Sequence, residues 1–376
     1  MDLIFGLVLI TLTCVALHDQ PFRRLAQRWA RTSFDPTAYG LAPRAQLDPE
    51  RAGPPMSAEL RREAQAIADA AWDGDWRPAA AYVAGAGRSW DERWSRLELL
   101  TEIADSGDAW LTAWRIADPN CCDAATLEAK LLVRRAWAIR GSGFAHEVPP
   151  ENMARFRELL PAAIEAARRA ALLSSEDPGP WVVMVTAARG AQYTPEQFAP
   201  LWAGLAERAP HHYEGHWQGM QYWCAKWYGS DREMLAFAER AMDAAPAGSP
   251  LPGIYLHAVH ELAKRNAAGK LLASAQAKRR LRAVAAALAT VPPDDPHLPA
   301  LRHLLASFFY TSGLYAPALE QFRLLGPWCG AAPWTAAEDP AAEFDLARGV
   351  SVKRARARPL PRETGPVKSA THRHGG

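Results

Sequence analysis

Apolar residues along most of the chain recur at the three- and four-residue spacing of amphipathic helices. No part of the central region alternates apolar and polar positions as a half-buried strand does. Ser57 stands where a helix N-cap belongs, directly before a periodic segment that ends near Trp72. On this pattern we predict helices at residues 57–72, 92–104, 124–139, 151–173, 180–189, 194–207, 212–227, 231–244, 254–266, 271–289, 297–310 and 315–324.

Clusters of proline and glycine separate these segments, notably at residues 177–180, 246–250 and 292–296. Short turns of this kind place successive helices antiparallel to each other. The composition agrees, since the 376 residues include 75 alanines, the strongest helix former, against 22 valines and isoleucines together. The sequence therefore predicts an all-α fold of antiparallel helical hairpins.

The spacing of glycine, small residues and proline suggests that the hairpins repeat. Gly229, Met234, Ala238, Ala241 and Pro246 lie at offsets 0, 5, 9, 12 and 17. This segment resembles a tetratricopeptide repeat, which has its loop glycine, its small and bulky helix positions and its closing proline at those offsets. Residues 305–322 resemble the same repeat, and residues 74–83 resemble its loop and the start of its second helix. The resemblance implies an α-solenoid at residues 57–330, and a generic alanine-rich helix bundle is the alternative.

A second resemblance covers roughly residues 90 to 265. Its motifs are Ala-Trp-Ala-Ile-Arg-Gly at 136–141, Asp-Pro-Gly-Pro-Trp at 177–181 and Lys-Trp-Tyr-Gly-Ser at 226–230. Together with His216 they resemble an uncharacterised bacterial family, domain of unknown function 4034, which implies no activity. The resemblance implies that four residues belong to one structural unit, and we take them as candidate binding residues. They are Trp137, Arg140, His216 and Trp227.

Residues 3–17 form an uncharged and mostly apolar run near the start of the sequence. Its length is close to the lower limit of about 17 to 25 residues for a membrane-spanning helix. Four arginines follow the run between Arg23 and Arg31 and none precedes it, which places the rest of the chain in the cytosol. We therefore predict a membrane anchor at residues 1–20 and a linker at 21–56. The alternative is a first helix that packs against the body of a cytoplasmic protein.

The other end of the chain is basic. Residues 350–376 carry seven lysines and arginines against Glu363, a net charge of +6, whereas the whole chain has a net charge of +2. Several prolines argue against a packed element, so we predict a disordered basic tail at residues 331–376. Such a tail could bind anionic lipid beside the anchor. Nucleic acid is a less favoured partner, because no aromatic residues are interleaved with the basic ones.

Sequence motifs for catalysis are absent. The chain contains no G-x-x-x-x-G-K-[ST] phosphate loop, no G-x-S-x-G turn and no H-E-x-x-H helix. We identify no catalytic residue and no cofactor, and we favour a protein that is not an enzyme. His212 and His216 lie four residues apart and, with His257 and His260, are candidates for a metal site. Histidines satisfied by hydrogen bonds explain the same residues, since zinc sites usually have tighter ligand motifs.

Tryptophan is frequent, with 15 residues, and four pairs are spaced four residues apart, as on one face of a helix. The pairs are Trp72 and Trp76, Trp90 and Trp94, Trp110 and Trp114, and Trp223 and Trp227. We expect these rings to fill the core of an alanine-rich helical protein, and a groove lined by exposed tryptophans is the alternative. The five cysteines form no C-x-x-C pair, which indicates free thiols in a reducing compartment.

These features favour a non-enzymatic scaffold that binds a peptide or protein on a helical-repeat surface. Two alternatives remain at this point. One is a helical metal-binding or enzymatic domain centred on His212 and His216. The other is binding of anionic lipid or nucleic acid through the basic tail.

Overall fold

The computed structural model describes residues 34–141, 148–265 and 267–359. Over these ranges the chain is all-helical, with sixteen α-helices, four short 3₁₀-helices and no β-strand. The chain divides into two compact units. The helical body comprises residues 55–271 and 282–298, and the terminal unit comprises the described parts of 1–54, 272–281 and 299–376.

The first eleven α-helices lie in the helical body. They are α1 (Ala58–Trp72), α2 (Arg77–Ala84), α3 (Trp90–Ser106), α4 (Ala109–Ala117), α5 (Cys122–Arg140), α6 (Pro150–Ala171), α7 (Gly179–Gly190), α8 (Pro195–Arg208), α9 (Tyr213–Tyr222), α10 (Asp231–Asp243) and α11 (Ile254–Ala263). The remaining five are α12 (Gly269–Ala273), α13 (Ala275–Leu288), α14 (Leu298–Thr311), α15 (Tyr315–Leu325) and α16 (Pro340–Arg354).

The predicted helices are confirmed, with changes at some of their ends. Ser57 caps α1, because its hydroxyl accepts a hydrogen bond from the Leu60 N–H. The predicted helix at 212–227 ends already at Tyr222, where the chain turns tightly. A Cβ at Gly229 would lie 2.0 Å from the backbone oxygen of Trp223, so only glycine fits this turn. The predicted helix at 271–289 is two helices, α12 and α13. The periodicity predicts no helix at α2, α4 or α16, although the repeat resemblance at 74–83 implies the start of a helix and the spacing of Trp110 and Trp114 is that of one helix face.

Alternate helices of the body contact one another in sequence. Helix α3 packs against α5, α5 against α7, α7 against α9, and α9 against α11. The helices between them pack on members of this series, for example α6 on α5 and α7, and α10 on α9 and α11. Buried alanines such as Ala124, Ala163 and Ala187 allow the helix backbones to approach closely. We call α3, α5, α7, α9 and α11 the alternate row.

The small residues on which the repeat resemblance is based are buried where helices pack. Ala79 in α2 and Ala238 in α10 are fully inaccessible, and Ala241 is nearly so. Ala318 is likewise fully buried in α15 of the terminal unit. At these positions a larger side chain would force neighbouring helices apart.

The terminal unit has an aromatic core of its own. The rings of Phe322, Trp334 and Phe344 contact one another with centroids 5.1 to 5.8 Å apart. The Trp334 indole donates a hydrogen bond of 3.0 Å to His303 Nδ1. His303 Nε2 in turn lies 2.8 Å from the backbone oxygen of Ala52. The N-terminal part of the chain therefore takes part in this core.

The predicted linker and the predicted disordered tail are both wrong, because parts of each belong to the packed terminal unit. The predicted linker at 21–56 includes packed residues, since Leu41 is buried and Asp48 bridges Trp328 in parallel β fashion. The predicted disordered tail at 331–376 contains α16, which buries Phe344 and Arg348. In the sequence, the basic residues at the end of the tail made the apolar pattern of this helix hard to recognise. Arg348 offsets its charge within the core by pairing with Asp345 at 2.7 Å.

The predicted membrane anchor at 1–20 and the last part of the predicted tail, at 360–376, lie outside the described residues. Across the ranges that the structure does describe, none of the helices combines the length and the apolar character needed to cross a lipid bilayer.

Candidate functional site

A cavity of about 170 Å³ lies in the helical body, and four successive members of the alternate row form its walls. Each helix contributes residues spaced three or four positions apart, which is the spacing of one helix face. Trp94, Val133 and Val183 supply apolar wall. The polar and charged lining residues are Glu98, Thr101, Lys130, Arg134, Thr186, Glu214 and Gln218. The cavity is therefore a mixed site in which a small organic group could contact both apolar and polar atoms.

Lys130 is the buried cation of this cavity, with a relative exposure of 8%. Its ammonium forms an ion pair with Glu98 and lies 4.3 Å from the centroid of the Trp94 ring. Both contacts are attractive interactions for an ammonium group. The charges of Lys130 and Glu98 therefore compensate each other within the site.

Glu214 and Gln218 face the cavity from one side of α9. The Gln218 amide donates a hydrogen bond of 2.8 Å to Glu214 Oε1. Gln218 Oε1 is buried and has no hydrogen-bond partner among the described residues. Burial raises the pKa of Glu214, and the positive charge of Lys130 offsets part of this effect. This wall of the cavity therefore presents acceptor atoms that the protein itself leaves unused.

A second polar group, Arg189, lies at the end of α7 with only 9% of its surface exposed. Its guanidinium carbon lies 4.7 Å from the ring centroid of Trp137 and 5.4 Å from that of Trp227. The two rings are nearly perpendicular, with centroids 5.8 Å apart. Burial lowers the pKa of Arg189 to about 10. The positive charge of Arg189 is stabilised by contact with the faces of these two aromatic rings. Within the described residues, no carboxylate forms an ion pair with Arg189.

Three of the four candidate binding residues are thus brought together around one ring. The guanidinium carbon of Arg140 lies 5.8 Å from the Trp137 ring, which also contacts Trp227. His216 packs elsewhere, against Trp202 at 5.1 Å and Phe237 at 5.9 Å between ring centroids. Arg189 could not be predicted from the sequence, since a single arginine at the end of an apolar helix carries no spacing signal.

The histidines lie mainly in a separate cluster. His212 caps α9, and its Nδ1 accepts a hydrogen bond of 3.2 Å from the Gly215 N–H. The Tyr213 hydroxyl lies 2.9 Å from His257 Nε2, and the Tyr213 ring stacks on His297 with centroids 3.8 Å apart. Burial lowers the pKa of His212 and of His257 to about 3. These histidines are therefore neutral at physiological pH.

The four histidines considered as candidate metal ligands are not grouped around one point in the described structure. His216 Nδ1 lies 3.0 Å from the backbone oxygen of His212, so one of its nitrogens has a local partner. Within the part of the chain that the structure describes, no three His, Cys, Asp or Glu side chains are grouped closely enough to hold a metal ion. The candidate ligands His212, His216, His257 and His260 therefore lack a common coordination geometry.

Some of the tryptophan pairs lie on one helix in the structure, and others do not. Trp110 and Trp114 lie on α4, are both 1% exposed and have ring centroids 6.5 Å apart, so core packing is confirmed for this pair. Trp72 is 55% exposed at the end of α1, and Trp76 precedes α2, so these two are not on one helix. The pair at 223 and 227 follows the end of α9. The described cysteines are free thiols, as predicted.

No family model matches the chain, and no curated protein or solved structure is significantly similar to it.

Proposed function

We propose that the helical body is a tetratricopeptide-like solenoid that binds an extended peptide or protein segment along the alternate row. The observation that carries this proposal is the cavity to which α3, α5, α7 and α9 all contribute. In helical-repeat proteins, equivalent helices line one surface, and side chains from several repeats contact one partner. A cavity shared by four such helices is the arrangement that this type of recognition requires.

The chemistry of the cavity agrees with a peptide partner. Its walls combine the Trp94 ring and two valines with the hydroxyls of Thr101 and Thr186. Peptide side chains bind in pockets of this mixed type, where apolar walls supply contact area and a few polar atoms fix orientation. We also propose that α3 to α11 form the unit shared with the family of unknown function, since the motifs at 136–141, 177–181 and 226–230 fall within this span.

A peptide library combined with site-specific crosslinking tests this function. Peptides of 12 residues displayed on phage would be selected on the full chain. A photo-crosslinking amino acid would then replace Arg134, which lines the cavity. In a matched control it would replace Arg168 on α6, an arginine that is similarly ion-paired and half exposed.

We expect selected peptides to crosslink from position 134 and not from position 168. Crosslinking of equal yield from both positions would place the peptides elsewhere. A library that yields no enriched peptides would remove the proposed function altogether.

The membrane tether at residues 1–20 is part of the same proposal and has its own test. We expect the full chain to stay in the membrane pellet after alkaline extraction, and a chain that starts at residue 21 to be released. This expectation follows from the apolar run at 3–17, whose insertion would bury roughly 12 apolar side chains. Release of both chains would refute the tether without affecting the proposed binding surface.

A further inference from the structure

We propose that the cavity of the alternate row binds the guanidinium group of an arginine side chain supplied by the peptide partner. This inference rests on the proposed function and specifies the partner further. It follows from three properties of the cavity, namely its unused hydrogen-bond acceptors, its charge and its size.

The unused polar atoms of the lining are mostly acceptors. The hydroxyls of Thr101 and Thr186 donate to the backbone oxygens of residues 97 and 182, at 2.6 and 2.7 Å, so each hydroxyl can only accept from an occupant. Gln218 Oε1 has no partner within the described chain. Glu214 Oε2 forms no ion pair or hydrogen bond with any described residue. Together these residues offer four acceptors.

A guanidinium group matches this number better than an ammonium group does. It carries five N–H donors in a planar fork and no acceptor, whereas an ammonium carries three donors. Its several donors can also reach acceptors on different helices that line one cavity, as those of Thr101 on α3, Thr186 on α7 and Gln218 on α9 do. A buried acceptor such as Gln218 Oε1 is costly when it has no partner, so an occupant that donates to it is favoured.

The charge of the lining also favours a cation. Glu98 compensates the charge of Lys130, and Arg134 forms an ion pair with Asp105 at 2.9 Å. The Glu214 carboxylate is the remaining charge of the lining, and it has no ion-pair partner within 4.0 Å in the described ranges. A bound cation would supply the ion-pair partner that the Glu214 carboxylate lacks.

The size of the cavity is compatible with the planar end of an arginine side chain. Its volume is about 170 Å³, and a cavity of about 150 Å³ is sufficient for a ring as large as benzene. The Trp94 ring and the valine side chains of the wall would contact the apolar stem of the arginine.

Isothermal titration with three blocked tripeptides tests the inference on the full chain. The peptides are acetyl-Gly-Arg-Gly-amide, its lysine counterpart, and its citrulline counterpart, which has nearly the shape of arginine without the charge. Measurements are made at pH 8 because burial raises the pKa of Glu214 and a higher pH favours its ionised form. We expect the arginine peptide to bind at least about tenfold more tightly than either of the others, as hydrogen bonds to a charged group imply.

Two variants locate the binding. Glu214→Gln keeps the shape of the side chain and is expected to weaken the arginine peptide at least about tenfold, as is Gln218→Met, which removes the free acceptor. The control Glu207→Gln alters a glutamate on α8 whose side chain is 80% exposed, and it should leave the affinity unchanged. Circular dichroism would confirm that each variant is folded, and either of the two cavity variants suffices for the test.

Three results would overturn the inference. These are equal affinity for arginine and citrulline peptides, equal or tighter binding of the lysine peptide, and unchanged binding by a folded cavity variant. A fourth is the absence of saturable binding up to about 10 mM, a very weak affinity for a specific site. If phage selection still yields peptides that crosslink from position 134, the proposed function stands and only the requirement for arginine fails.

Discussion

Lowering the pH from 7.5 to 5 is expected to destabilise the helical body, because five of its histidines have a pKa that is lowered in the folded state. Burial lowers the pKa of His212 and of His257 to about 3 and that of His216 and of His260 to about 4, and it also lowers the pKa of His297. In the unfolded chain the pKa of histidine is about 6.5. The folded-state values are therefore the lower ones, so the stability that these groups contribute is present above about pH 6.5 and is lost as the pH falls below it.

The magnitude follows from the number of protons. Each histidine that is protonated only in the unfolded state lowers the free energy of unfolding by about 1.4 kcal/mol per pH unit. The four histidines with a pKa of about 3 to 4 together give about 5.5 kcal/mol per pH unit below pH 6.5. Burial raises the pKa of Asp91 and Glu214, so these groups take up protons more readily in the folded state and offset part of the loss. Total stabilities of about 5 to 15 kcal/mol are usual, so the loss would dominate.

The assay is urea unfolding followed by tryptophan fluorescence at pH values between 7.5 and 5. In the variant His257→Gln the slope of the unfolding free energy against pH should decrease by about 1.4 kcal/mol per pH unit, because one proton fewer is taken up. The matched control Tyr213→Phe removes the hydroxyl that contacts His257 without removing a histidine. It should lower stability similarly at every pH and keep the slope.

The reasoning would be refuted if the free energy of unfolding fell by less than about 1 kcal/mol between pH 7 and pH 5. It would equally be refuted if the imidazole resonances of these histidines titrated near the unfolded value in the folded protein. Either result would mean that the folded cluster admits protons.

Two further predictions concern stability. Gly229→Ala should lower the unfolding free energy by more than about 3 kcal/mol in a urea titration, because the new Cβ would lie 2.0 Å from the Trp223 oxygen. Gly107→Ala is its control and should change stability by at most about 0.5 kcal/mol, since nothing lies within 4 Å of its Cβ position. Trp114→Ala should cost about 3 to 5 kcal/mol in the same assay, because the ring is fully buried against its neighbours. Trp72→Ala, at a side chain that is 55% exposed, should cost about 1 kcal/mol or less, and equal losses in the two tryptophan variants would refute the assignment of Trp114 to the core.

Sequence periodicity was sufficient for the long helices, because their apolar faces are repeated over three or more turns. It failed for α2 and α4, which span eight and nine residues, and for α16, where basic residues at the chain end masked a buried face. In each case a tertiary contact decides the structure of a segment whose local pattern is too short or too polar to reveal it.

The cavity could be predicted from the sequence even less completely than the short helices could. Each of its walls follows from local spacing, as with Trp94, Glu98 and Thr101 on one face of α3. The sequence does not reveal that this face meets those of α5, α7 and α9, since helices far apart in the chain pack through contacts of low sequence specificity. The sequence motifs at 136–141 and 226–230 contain Trp137 and Trp227, and only the structure reveals that Arg189 contacts both rings.

The terminal unit is formed by segments that are far apart in the sequence, and this has a consequence for folding during synthesis on the ribosome. This unit joins residues 34–54 to segments that begin at residue 272, and its core includes Phe344 from the last described helix. Chains grow at about 5 to 20 residues per second, and domains fold as their residues emerge. The helical body is therefore complete in sequence at residue 298, whereas the N-terminal part of the terminal unit gains its partners only after residue 298 and completes them only when α16 has been translated. A nascent chain that stops at residue 298 would have a complete helical body and an exposed N-terminal segment, which is a substrate for chaperones and proteases.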